Sequence, residues 1–176
     1  MARTGSRAWP GSWRPLGVSH DGQGVNAAVW AAGATGVDLC LFDEDGTEER
    51  VALTESTFHV WHGYLPGVAP GRRYGFRVNG PWEPELGHRW NPEKLLLDPY
   101  ARAVDGDFVN DPAVYGHKPG DSAAFVPKGV VLDPSDRADT GPRPSTPIWV
   151  SQYRSESVIS WITCGWVTLS VFPQPV

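Results

Sequence analysis

"GVDLCLFDEDGTEERVALT", residues 36–54, sets the character of the chain. Val37, Leu39 and Leu41 alternate with Asp38, Cys40 and Phe42, the two-residue period of a strand whose successive side chains point to opposite faces. Asp43-Glu44-Asp45-Gly46 follows, and Asp-Gly accepts the positive φ that a tight hairpin turn demands. "TEERVALT" then returns as the partner strand. Upstream, "GVNAAVWAA" (24–32) is a β-rich run entered through the turn signal His20-Asp21-Gly22-Gln23-Gly24. Downstream, residues 58–80 give two more strands, near 58–65 and 73–79, split by a Pro/Gly-rich turn. Trp30, Phe42 and Tyr74 lie within these strands and are expected in the core. Short strands at this spacing, with almost no helical periodicity, predict an all-β fold, an immunoglobulin-like antiparallel β-sandwich. The Cys…Trp…Cys framework of a true immunoglobulin domain is missing, so the likeness is architectural.

After Gly80 the texture changes. Residues 81–134 are dense in proline, with Asp98-Pro99, Asp111-Pro112 and Asp133-Pro134, and cannot propagate helix or central strand for long. They read as an irregular Pro-rich C-terminal extension draped over something, closed by the strand-like run "FVPKGVVLD" (125–133). From about Arg137 onward, "TGPRPSTPIWV" is linker-like and "SVISWITCGWVTLSVFPQPV" is β-prone and apolar. The expected organisation is a flexible N-terminus (1–13), a sandwich (14–104), an extension (105–136) and an atypical tail (137–176).

The chain has 176 residues and a net charge of −5, with acids and bases interspersed, which argues against nucleic acid and anionic membrane. Cys40 and Cys164 stand far apart with no CxxC or Cys/His cluster, so no metal site is expected, and a reduced, buried Cys40 is preferred to a long-range disulfide. "MARTGSRAWPGSWRP" lacks a signal peptide's apolar region, and no run reaches transmembrane length, which makes the cytoplasm the expected compartment. Nine tryptophans suit stacking on pyranose faces, although core packing competes for most of them.

Carboxylate pairs occur at Asp43, Glu44 and Asp45, at Glu83 and Glu85, and at Asp105 and Asp107. Retaining glycoside hydrolysis needs two carboxyls presented from separate rigid elements, and these sit in turns, where solvation is usual. Asp105-Gly106-Asp107 with Asp111 hints at calcium but lacks the ligand alternation and closing Glu of an EF-hand. No phosphate cradle is present and no cofactor is expected. His59 and His62 flank Trp61 on a strand and face opposite ways, a poor arrangement for a shared metal. Trp61, Tyr64 and Trp82 are the candidates for a ligand- or partner-facing surface, Trp82 because "NGPWEPE" is a turn context.

"RPLGVSHDGQGVNAAVWAAGATGVDLCLFDEDG", "HVWHGYLPGVAPGRRYGFRVNGPWEPELGHRWNPEKLLLDPYARAVDG" and "DSAAFVPKGVVLDP" resemble, in order and with little gapping, the N-terminal part of bacterial glycogen debranching enzymes. These are isoamylase-type members of the α-amylase superfamily, glycoside hydrolase family 13. The resemblance implies that the sandwich is a carbohydrate-binding module of family 48, with α-glucan as a partner. It also implies that the following stretch leads to a (β/α)₈ barrel, which in the family hydrolyses α-1,6 branch linkages with an Asp nucleophile, a Glu acid/base and a third Asp. No catalytic position carries over. Where the family continues with a barrel strand similar to "VIYExHVxG", this chain has Val158-Ile159 and then Ser160-Trp161, so a shifted frame or truncation past about residue 137 is expected. The chain alone is accordingly expected to be inactive. Trp90, Asn91, Leu95, Leu96, Leu97, Asp98 and Tyr100 are read as the junction that docks the barrel, with Asn91, Asp98 and Tyr100 fixing turns. The competing reading is an immunoglobulin-like interaction module with no sugar binding.

Overall fold

A computed structural model describes residues 3–4 and 7–135. The atypical tail and Cys164 lie outside the described residues. In chain order the strands are β1 (Arg3–Thr4), β2 (Gly17–His20), β3 (Gly24–Trp30), β4 (Gly36–Phe42), β5 (Glu48–Leu53), β6 (Glu55–Thr57), β7 (Val60–Pro66), β8 (Arg73–Asn79), β9 (Trp82–Glu83), β10 (His88–Arg89), β11 (Val104–Asp105) and β12 (Lys128–Val130). Single 3₁₀ turns form at Pro84–Leu86 and Pro112–Val114. The sheets are a six-stranded β1-β5-β4-β8-β12-β11, a four-stranded β2-β3-β7-β6, and a small β9-β10 ribbon. Pairing is antiparallel except for β1 alongside β5. The expected all-β sandwich is present.

The quoted hairpin forms in the register its alternation implies. Leu39 opposes Val51 and Val37 opposes Leu53, while Gly46 takes a φ of 83° in the turn. One face of β4 (Val37, Leu39, Leu41) meets Val51, Leu53, Tyr74, Phe76 and Val78 of its own sheet and Val25, Ala27 and Leu65 of the other. That layer is the core, and each branched side chain buried there contributes about 1.5–3 kcal/mol.

The opposite face of β4 is buried as well. Cys40 and Phe42 form a second cluster with Leu95, flanked by Ala123 and Val126, so the Pro-rich extension lies on the outer side of the six-stranded sheet. Two-sided burial explains why Leu39-Cys40-Leu41-Phe42 is a continuous apolar run rather than a clean alternation. Cys40 is a buried free thiol whose pKa burial pushes upward, as expected for an inert core sulfur.

Trp30 departs from the core expectation: it is 60% exposed. Val25, Ala27 and Val29 take the inward positions of β3, so the two-residue period sends Trp30 outward. Residues 8–12, read from the sequence as part of a flexible lead-in, are bonded to the sandwich. Ala8 enters the core, and Trp9 exchanges backbone hydrogen bonds with Tyr64 at 2.8 and 2.9 Å. The stretch assigned to the extension also supplies β12, whose Gly129 pairs with Tyr74 of β8.

Candidate functional site

Trp61 and Tyr64 stand three residues apart on β7 and therefore face opposite ways. Trp61 opposes Val29 and packs, partly buried, against the core. Tyr64 opposes Asn26 on the outer face of the four-stranded sheet, and its hydroxyl donates to Asp21 Oδ1 at 3.0 Å. Trp82 lies in β9, 42% exposed, with its ring edge beside Gly116. These three side chains thus occupy three different surroundings.

The junction residues are divided in the same way. Leu95 is 3% exposed and packs within the chain, against Cys40 and Phe42, rather than waiting for another domain. It presses on β8 so closely that a Cβ at Gly75 would lie 2.8 Å from its Cδ1. Leu96 and Phe76 exchange backbone hydrogen bonds at 2.8 and 2.9 Å, which seats the run on the sheet edge. Leu96 and Leu97 stay 41% and 38% exposed. Asp98 is buried, its Oδ2 accepting from the Tyr74 hydroxyl at 2.8 Å and its Oδ1 from Tyr100 N at 2.8 Å. Burial, reinforced by the Asp98 charge, pushes the Tyr74 phenol upward, so it stays a donor. Asn91 Nδ2 donates to Gly116 O at 2.9 Å, and its Oδ1 accepts from Glu93 N at 2.9 Å. Trp90 covers Gly80 and packs, half-buried, against the core, while Tyr100 is exposed.

What holds this junction is a residue the sequence reading passed over. Arg77 is 0% exposed on the outer side of β8, and all five of its N–H donors are used. Nε and one terminal nitrogen grip Glu48 at 2.7 and 2.8 Å, and that nitrogen also reaches Asp121 at 2.7 Å. The other nitrogen donates to the carbonyls of Pro92 and Glu93 at 3.1 and 2.7 Å. Burial is the largest influence on the Glu48 carboxyl and would raise it, but hydrogen bonds from Arg77, Cys40 and Arg50 together with the Arg77 charge hold it below the ordinary glutamate range. Lys94 works in parallel, its Nζ donating to Ala113 O and Gly120 O at 2.7 Å each. The available signal was a charged residue at the centre of the apolar strand "YGFRVN".

Several of the sequence's carboxylates are engaged in ion pairs or turn caps. A cleft of about 1030 Å³ sets Asp43, Glu44, Asp45 and Glu49 against Arg7, Arg72 and Arg73, and Arg72 pairs with Asp43 at 2.6 Å. Asp105 sits 3.8 Å from Arg73, and Asp111 caps a 3₁₀ turn by accepting from Ala113 N. His59 lies in the β6–β7 turn with a φ of 65°, while His62 is buried and shares a hydrogen bond with Thr57.

Residues 15–101 match the family described as carbohydrate-binding module 48, the isoamylase N-terminal domain. This region belongs to that family. The carbohydrate-binding module is accompanied by wider similarity. The glycogen debranching enzyme of Cronobacter sakazakii is 52% identical over 139 residues, covering 77% of this chain and 20% of its own length. That of Serratia proteamaculans is 51% identical over 143 residues, covering 78% and 22%. The chain therefore spans about a fifth of the length of these curated relatives. Among solved structures, the product complex of the multi-modular glycogen-degrading pneumococcal virulence factor SpuA aligns with a TM-score of 0.52 and 21% identity. It covers 77% of this chain and 14% of that one, a likeness of fold.

Proposed function

We propose that the module serves a glycogen debranching enzyme in two non-catalytic ways: it seats the catalytic domain and it touches the α-glucan chain on which that domain acts. The seating reading is carried by one observation. Most large apolar side chains left exposed among the described residues lie between Trp82 and Tyr115, and they include Leu86, Leu97, Phe108 and Val109. An exposed apolar segment of this kind suits a contact surface. It stands on a stretch that Arg77 and Lys94 fasten to the sandwich, so it is presented with little ordering cost.

The test mixes the 176-residue chain with the separately produced remainder of the Cronobacter sakazakii enzyme and measures complex formation by sedimentation. The expected result is a complex that weakens when Leu97 and Phe108 are both changed to serine. Absence of any complex would sink the seating role. Pullulan incubated with the chain alone should release no reducing ends, and turnover there would overturn the non-catalytic reading.

A further inference from the structure

Residues 10–15 form one wall of a groove of about 620 Å³ on the outer face of the four-stranded sheet, a volume in the range of small-ligand sites. The wall is pinned by a reciprocal pair: Ser12 N donates to Asn26 Oδ1 at 2.7 Å, and Asn26 Nδ2 donates to Ser12 O at 2.9 Å. It is tightened where Ser12 Oγ donates to Arg14 O at 2.6 Å. Tyr64 and Asp21 line the groove as well.

Two groups in the groove are fixed in place yet have bonding capacity to spare. Asp21 gives a single oxygen, Oδ1, to three donors: Gln23 N at 2.9 Å, Gly24 N at 3.0 Å and the Tyr64 hydroxyl at 3.0 Å. Its Oδ2 has no bond among the described residues. The hydrogen bond from the Gln23 backbone, with those from Tyr64 and Gly24, holds this carboxyl below its ordinary range, so the spare oxygen is an anionic acceptor. In the same groove the Arg14 guanidinium lies 4.2 Å over the Trp13 ring, and Trp13 meets Phe58 at 6.0 Å in an edge contact. That contact restrains the cation, whose side chain makes no hydrogen bond among the described residues.

A strong acceptor, a donor fork and a phenol ring lining one groove suit a neutral polyol with hydroxyl edges and apolar ring faces. A simple anion meets Asp21, and a simple cation meets Arg14. We infer that this groove binds a run of α-linked glucosyl units, with hydroxyls bridged by Asp21 Oδ2 and Arg14 and one sugar face laid on Tyr64. The inference rests on the glucan-contact half of the proposed function and moves that contact away from Trp82.

Maltoheptaose titrated into the full chain by calorimetry tests it. Asp21→Asn keeps an oxygen for the turn and replaces only the spare acceptor, and Arg14→Gln removes the fork. Each should weaken binding about tenfold, the scale of one charge-assisted hydrogen bond. Trp82→Ala should leave the affinity unchanged, and equal melting temperatures establish that the fold is intact. Unaltered affinity in both groove variants, with loss in Trp82→Ala, overturns the groove and leaves glucan contact standing. No binding by the native chain at millimolar sugar overturns both.

Discussion

On the outer side of the six-stranded sheet, Arg77 spends every donor it has, Leu95 is driven against Cys40 and Phe42, and Lys94 clasps two carbonyls. On the outer side of the four-stranded sheet, Trp30 is 60% exposed, Phe58 81% and Trp9 59%. One sheet is therefore buried on both faces and the other on only one. The covered side holds the donors of Arg77 and Lys94 in closed pairs, as burial requires. The open side keeps spare capacity at Asp21 and Arg14, as a contact surface does. The Arg77 clamp and the proposed glucan groove thus lie on opposite sides of the sandwich.

The contrast fails most visibly if Arg77 proves dispensable. Arg77→Ala leaves Glu48, Asp121 and two carbonyls facing a cavity, so a loss of about 3–5 kcal/mol is expected in urea unfolding, with early proteolysis between residues 91 and 127. A cost below about 1 kcal/mol would show that the extension is not clamped. Next in size is Leu95→Ala, expected to cost about 2–5 kcal/mol because both β4 and β8 are held at fixed spacing beneath it. Full retention of stability would place Leu95 on a surface instead.

Acid should act through the same clamp. The Glu48 pKa is depressed in the folded chain, so its contribution is complete above the ordinary glutamate range, about pH 4–5, and is lost as pH falls through the lower folded value. Melting temperatures of native and Glu48→Gln chains should converge as pH drops below that range, and parallel curves would remove Glu48 from the clamp. The smallest effect belongs to the open face: Trp30→Thr should change stability by no more than about 0.5 kcal/mol. A larger loss would mean that this face, too, is structural.

Much of the fold was legible because β4 and its hairpin state their period and their turn in adjacent residues. The partner of the outward positions was not legible, since Cys40 and Phe42 announce that they are covered without saying by what. Leu95-Leu96-Leu97 posed the same difficulty from the other side: of three identical residues, one is buried and two stay exposed. Trp61 and Tyr64 could have been separated from sequence alone, because an odd spacing on one strand assigns them to opposite faces. Arg14 and Asp21 could not have been paired, as they meet only when the N-terminal segment is folded across β3 and β7. Arg77 was visible as a charge in an apolar strand, but its carbonyl acceptors lie on Pro92 and Glu93, which carry no sequence signal for that role.

Gly129 lies under the Tyr74 ring so tightly that a Cβ there would stand 2.6 Å from Tyr74 Cζ, and it belongs to the strand that seals the Arg73–Tyr74 end of β8. Of the described strands, a ribosome delivers that one last. Until residue 130 emerges, the growing sandwich presents an unpaired strand edge, the kind that recruits other chains. A recombinant piece ending at residue 101, where the family match stops, would keep that edge open permanently. The working limit of this module in a laboratory or in a nascent polypeptide is therefore set by a glycine well beyond residue 101, the end of the family match.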